Sequence, residues 1–220
     1  MANLLEASAE KHLKGVDEII YIGGEFKNTE ELFKAAFMTN YELWKKERCN
    51  ILTSEVDLLF INESDIFNEY SDFSLFGLNP GPNVCKECAP VSLNSMRYFP
   101  HTMEEEIMDY GYGLFNGDVF SESDSGMGQW DGEMGIYNKM FFNQRDGFYR
   151  NEAHLREHLN RSCAYWHLLI NGFTDEFDYS YLYSVPEGES KVLVFSGTRG
   201  QELTLREMKW YNRKYNGQKL

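Results

Sequence analysis

The segment Gly77-Leu78-Asn79-Pro80-Gly81-Pro82 constrains this chain more than any other, because residues of this kind continue neither a strand nor a helix. It follows a short apolar run, Phe73-Ser74-Leu75-Phe76, which reads as a central strand, and Pro80 with Gly81 ends that strand abruptly. The order predicts a strand whose carboxyl end delivers an amide side chain, Asn79, to a crevice. In layered α/β proteins that is where ligands bind. By itself such a turn is an ordinary chain reversal, so its meaning depends on the rest of the chain.

With 220 residues, 42% of them hydrophobic and 15% aromatic, the chain can fill one core and is short for two. A single domain over 1–220 is expected, with a mostly helical part over 1–70 and a core over 71–220. No stretch has the apolar length to span a bilayer, and Met1-Ala2-Asn3-Leu4-Leu5-Glu6 lacks the basic start and apolar centre of a secretion signal. A cytoplasmic protein is therefore expected. Cys49, Cys85, Cys88 and Cys163 are few and unevenly spread, which predicts free thiols in a reducing compartment.

The formal charge of −14 opposes a nucleic-acid partner, since phosphate binding depends on Lys and Arg. The way that charge is distributed reopens the possibility. From His101 to Tyr137 there are nine acids and no Lys or Arg, whereas Glu189 to Leu220 carries seven bases against three acids. One face can meet a polyanion while another repels it. An acidic solvated surface with a basic end explains the charge equally well.

Asn28-Thr29-Glu30-Glu31 has the form of a capping box, and Leu32, Ala35, Ala36, Leu43 and Trp44 follow at helical spacing up to Lys45 and Lys46. Val56 to Phe60 is apolar, and strands are predicted at Phe73, over Tyr165 to Ile170 and over Lys191 to Phe195. Helices are predicted over Asn151 to Arg161 and Leu203 to Tyr215, and the glycine-rich stretch from Tyr110 to Gly135 reads as a long loop. Strands alternating with helices argue for an α/β layer structure with a largely parallel sheet.

The order of motifs resembles the uracil-DNA glycosylase superfamily, and within it the mismatch-specific uracil-DNA and thymine-DNA glycosylases. Gly77-Leu78-Asn79-Pro80-Gly81 is similar to that family's G-I-N-P-G turn, and Pro82 to the G-M-N-P-G-P of its single-strand-selective branch. Asn94-Ser95-Met96-Arg97-Tyr98-Phe99 resembles the N-R-F-W element, and Gly135-Ile136-Tyr137-Asn138-Lys139-Met140 the G-I-G-F-T-N-M segment. Leu169-Ile170-Asn171-Gly172 is similar to an F-N-G-K strand end, and Val192 to Arg199 with Leu203, Leu205 and Tyr211 to V-L-P-N-P-S-G-L-S and its helix. The resemblance covers roughly residues 70 to 220. It implies a three-layer α/β/α fold around a central, mainly parallel four-stranded sheet.

Breaking an N-glycosidic bond develops positive charge on the sugar and negative charge on the departing base, which calls for a positioned water and donors aimed at the base. The resemblance implies that Asn79 holds the water. It places Gly77, Leu78, Pro80, Gly81, Tyr98, Phe99 and Asn138 around the base, and Arg97, Ser196, Gly197, Thr198, Arg199 and Gly200 against DNA, Arg199 filling the gap left by a flipped nucleotide. The implied protein is a monomer acting on DNA without cofactor or metal. No lysine lies in the matched motifs at a position that favours a Schiff-base lyase step.

Departures from the pattern bear on substrate. Phe195-Ser196 replaces the N-P-S or H-P-S approach, Asn83 to Val91 lacks the usual pocket-wall residues, and residues 100 to 135 are longer and more acidic. A reshaped pocket points to a base other than plain uracil, such as the hydroxymethylated or glucosylated cytosines of some phage genomes, and from there to antiviral defence. Competing patterns are few. His154-Leu155-Arg156-Glu157-His158 fits a zinc-protease motif but offers only five matched residues on a polar helix, and Cys85-Lys86-Glu87-Cys88 is half of a zinc knuckle without its second pair. The non-enzymatic alternative is an acidic inhibitor, immunity protein or DNA mimic, for which the charge is the main support.

Overall fold

The capping signal at Asn28 is realised in the computed structural model, which describes residues 1–71, 73–77, 94–117, 136–137, 140, 168–170, 191–195 and 201–217. Helix α1 (Ala2–His12) precedes α2 (Thr29–Glu47). The Asn28 side chain accepts the Glu31 N–H at 2.9 Å, and the Glu31 carboxylate turns back to accept the Lys27 N–H at 2.9 Å, one residue earlier than a standard capping box. At the other end Arg48 takes a left-handed conformation with φ 49°, and its N–H closes on the Trp44 carbonyl. Its guanidinium lies 4.1 Å from the centre of the Trp44 ring, which offsets the strain of a non-glycine residue there.

Six strands follow: β1 (Ile51–Ser54), β2 (Leu58–Phe60), β3 (Ser74–Gly77), β4 (Asn94–Phe99), β5 (Leu168–Ile170) and β6 (Val192–Phe195). A one-turn helix, α3 (Ile66–Glu69), lies between β2 and β3, α4 (Glu105–Asn116) follows β4, and α5 (Gln201–Asn216) follows β6. The fold is thus mixed α and β, but the described strands do not form the expected four-stranded, mainly parallel sheet. They form two three-stranded sheets in the orders β1-β4-β3 and β2-β6-β5, and only the β5–β6 pairing is parallel. Hydrophobic runs locate strands without giving their direction, and three of the six described, β1, β2 and β4, were not expected as strands. β4 enters between β1 and β3, so among the described strands β3 lies at an edge of its sheet and is not central.

Alternation along the strands divides the interior. Phe99 faces a cluster with Phe37 and Trp44 of α2, Ile107, Met108 and Phe115 of α4, and Ile136, Tyr137 and Met140. Met96 and Tyr98 face the opposite way, into a second core with Leu58, Phe60 and Val192 of the other sheet, closed by Ala9 of α1 and Ile66 of α3. A third cluster, Leu59, Leu193 and Phe195 against Leu4 and Met208, seats α1 and α5. The Trp44 indole, fully buried, donates to the Pro100 carbonyl at 2.9 Å, so its one polar group is satisfied.

Residues 110–116, expected as loop because of Gly111 and Gly113, belong to α4. The reason is contact. A Cβ on Gly111 would lie 2.6 Å from Phe37 Cζ and 2.4 Å from Met140 Cε, and Phe37 is itself stacked on Phe115 at 4.2 Å, so glycine lets α4 approach α2. A Cβ on Gly113 would meet nothing within 4 Å. Gly113→Ala should therefore raise stability by about 0.5–1 kcal/mol through helix propensity. Gly111→Ala should lower it, because an overpacking cost of about 1–3 kcal/mol exceeds that gain. Urea unfolding of the two variants beside the wild type checks the opposite signs; stabilisation by both would mean that the α2–α4 contact is not tight.

Candidate functional site

Strand direction gathers the ends that matter. In the first sheet β1 and β3 both run antiparallel to β4, so Ser54 and Gly77 finish at the same edge, where β4 begins at Asn94. In the second sheet β6 pairs antiparallel with β2 and parallel with β5, so Phe195 and Ile170 finish beside the start of β2. The Phe195 N–H donates to the Asp57 carbonyl at 2.9 Å, and Ile170 is the register partner of Phe195. Asp57, Phe195 and Ile170 thus form one row, two strand spacings or about 10 Å wide. Only Glu55, Val56 and Asp57 separate Ser54 from Leu58, which keeps the two sheet ends within about 14 Å of each other. Carboxyl ends from both sheets therefore share one rim.

Two ionisable groups distinguish this region. Asp57 Oδ1 is shut off from solvent and has no hydrogen-bond partner among the described residues. Burial pushes the Asp57 carboxyl up from its ordinary range, opposed only by a hydrogen bond from its own backbone. Neighbouring Val56 is 45% exposed, leaving an apolar surface beside the acid. Below the rim, in the first sheet, Arg97 is 4% exposed, with its guanidinium 5.9 Å from the Phe33 ring centre and 6.0 Å from that of Tyr137. Thr53, its register partner on β1, accepts the buried Asn40 amide at 2.7 Å. A polar layer thus crosses the aromatic core beneath the end of β3.

The placement of the expected site residues is uneven. Gly77 ends β3, opposite Asn94 across a register shift that follows Phe76. Leu78, Asn79, Pro80, Gly81, Asn138 and Ser196, Gly197, Thr198, Arg199 and Gly200 lie outside the described residues, as do Cys85, Cys88, His154 and His158. Cys49 is a free thiol. Tyr98 and Phe99, expected in one base pocket, point to opposite faces of the sheet and are buried in different cores, since adjacent strand residues cannot share a face. Burial alone raises the Tyr98 hydroxyl above its ordinary range. Arg97, expected at the DNA surface, is instead an inward-facing cation beside Tyr137. Sequence reasoning passed over Asp57; its signal was an acid directly ahead of the apolar run Leu58-Leu59-Phe60-Ile61, one among 35 acids.

No family model, curated protein or solved structure matches this chain. Among the described residues no helix is long and apolar enough to cross a membrane.

Asp57 makes a prediction whose sign is fixed by its surroundings. With its folded-state proton affinity raised, the carboxyl destabilises the fold as pH climbs past its ordinary value, and the penalty is complete above its folded value. Asp57→Asn should unfold at higher urea than the wild type at pH 7, and the two midpoints should converge below about pH 4, where the acid is neutral in both states. A lower midpoint for the variant at pH 7 would show that the carboxylate is held by a cation.

Proposed function

We propose that this protein is a DNA glycosylase that removes a flipped-out modified or mismatched pyrimidine and leaves an abasic site. The observation that carries this reading is the shared rim. Three stretches with the residue types such chemistry needs, the Asn79 turn, Asn171-Gly172 and Ser196 to Gly200, follow in the sequence from Gly77, Ile170 and Phe195, whose strands all finish there. Ligand sites in α/β folds gather at such strand ends. Of the mainly parallel sheet that the resemblance implies, the described strands contain the β5–β6 pair alone.

On this reading the water oxygen bonds to C1′ as the C1′–N bond breaks and its electron pair leaves with the base. The Asn79 carbonyl oxygen accepts a hydrogen bond from the water, and Asn138 donates to the base as charge builds there. An amide cannot take the water's proton. Asp57, on the same rim and with raised proton affinity, is suited to accept it and pass it to the departing base. The departures at Asn83 to Val91 and Phe195-Ser196 favour a modified cytosine over uracil, and a base of phage DNA would make the enzyme one of antiviral defence.

The acidic-inhibitor alternative is weakened by a specific feature of α4. Two of its acids are already paired within the molecule: Glu105 with Arg48 at 2.5 Å and Lys45 at 3.2 Å, and Asp109 with Lys45 at 3.0 Å and the Tyr41 hydroxyl at 2.6 Å. They are held below their ordinary range by those bonds and are poorly placed to imitate DNA phosphates.

Abasic sites should be measured on DNAs containing uracil, mismatched thymine, hydroxymethylated cytosine and glucosylated cytosine. One base should be released by the wild type and not by Asn79→Ala, with a loss of at least about 100-fold. Asp57→Asn should in addition remove the acidic limb of the pH–rate profile. No abasic sites on any DNA would reject the enzyme and favour the inhibitor.

A further inference from the structure

The outer face of α5 is basic. Arg206, Lys209, Trp210, Arg213 and Lys214 fall at i, i+3, i+4, i+7 and i+8, and all are exposed. The opposite side of the helix is committed to packing: Thr204, Met208, Asn212 and Asn216 are buried, Met208 against Leu4, Leu59 and Leu193. Asn216 is tied further, donating to the Phe60 carbonyl at 3.2 Å and sharing a 2.7 Å hydrogen bond with His12. The helix is therefore fixed, with its basic side outward.

Elsewhere in the described structure Lys14, Lys27, Lys45, Lys46 and Arg48 each pair with a carboxylate. Arg206, Lys209 and Arg213 have no carboxylate partner among the described residues, although Glu202 and Glu207 lie on the same helix. The helix dipole accounts for Arg213 and Lys214 in the last turn. It does not account for Arg206 and Lys209, further from that end, where like charges at this spacing oppose one another.

Trp210, 57% exposed, is the second unusual feature. Its indole stands edge-on to Tyr211 at 4.6 Å, and the Lys214 ammonium lies 5.5 Å from its ring centre. A large exposed aromatic amid cations is the composition with which proteins hold single strands: cations follow the phosphates and the ring stacks on a base. From Arg206 to Lys214 the helix extends about 12 Å, enough to follow about three successive phosphates of an unpaired strand. Duplex DNA gives such a ring no free base.

We propose that the outer face of α5 is a track for single-stranded nucleic acid, with Arg206, Lys209 and Arg213 on phosphates and Trp210 stacked on an unpaired base. The partner is the one assumed by the excision reading, but the track does not depend on that chemistry. Five residues, 196–200, separate the end of β6 from the start of α5, which keeps Gln201 within about 20 Å of the rim.

Binding of a labelled oligothymidylate over a salt titration tests this. Replacing Arg206, Lys209 and Arg213 together by Ala should make the slope of log K against log salt shallower by about two, at roughly 0.7 per phosphate contact. Trp210→Ala should weaken binding roughly tenfold and Trp210→Phe much less, as stacking requires. Unchanged thermal midpoints would confirm that these exposed replacements leave the fold intact. Unchanged slope and affinity in the variants would overturn the track, as would polyglutamate binding as tightly with the same sensitivity to Trp210→Ala, which would indicate an acidic protein partner. The abasic-site assay separates the two proposals. Binding through α5 without base release would retain the track and reject excision, and base release with unaltered binding in the variants would do the reverse.

Discussion

Strand β4 belongs to two cores at once, and the arrangement of everything around it depends on that. Its alternate side chains commit Met96 and Tyr98 to the space between the sheets and Phe99 to the layer under α2 and α4. Both faces being buried, a one-residue slip would carry the Arg97 guanidinium from beside Phe33 and Tyr137 into the core between the sheets, at a desolvation cost of several kcal/mol. The register is thereby pinned. Pairing on both sides then fixes β1 and β3, and with them the edge at which Ser54 and Gly77 end.

The link from β1 to β2 transmits that order to the second sheet. Three residues allow no wandering, so the beginning of β2 is held near the end of β1, and β6 and β5 are ordered in turn by their pairing. A cost accompanies this economy of chain. Asp57 is carried into a position where one oxygen is shut off from water and, among the described residues, has no hydrogen-bond partner, a burden that packing alone would not retain. Apolar or amide residues would fill the same space more cheaply, which is why an acid there reads as functional.

Local signals were the legible part of the sequence. The Asn28 cap, the strands near 74 and 192 and the helix after residue 200 all follow from short-range chemistry, and each lies within about three residues of its expected place. What was not legible required partners distant in sequence. Gly111 reads as a loop residue until Phe37 and Met140 are placed against it, and the pairing of β4 between β1 and β3 leaves no periodic mark on Asn94 to Phe99. The candidate site divides in the same way. The end of the strand leading to Asn79 was legible as a local break, whereas Asp57 acquires meaning only from the Phe195 N–H that binds its carbonyl and the burial around its carboxyl. Tyr98 and Phe99 show the converse, since two neighbouring aromatics that suggest one pocket are separated by the pleat.

Net charge is a poor guide to partner here because the molecule sorts its charges by use. On α2 and α4, Lys45 is held above its ordinary range by hydrogen bonds to Tyr41, Asp109 and Glu105, so cations and acids in that region are spent on each other. The pairs are exposed and contribute little stability individually, but they reduce the field that this acidic surface projects. On α5 the opposite holds, with cations left facing water beside an exposed indole. At a Debye length of about 8 Å a phosphate chain near α5 responds to that face and is largely insulated from acids elsewhere on the molecule. A chain of formal charge −14 can therefore attract a polyanion locally, as the proposed track on α5 requires.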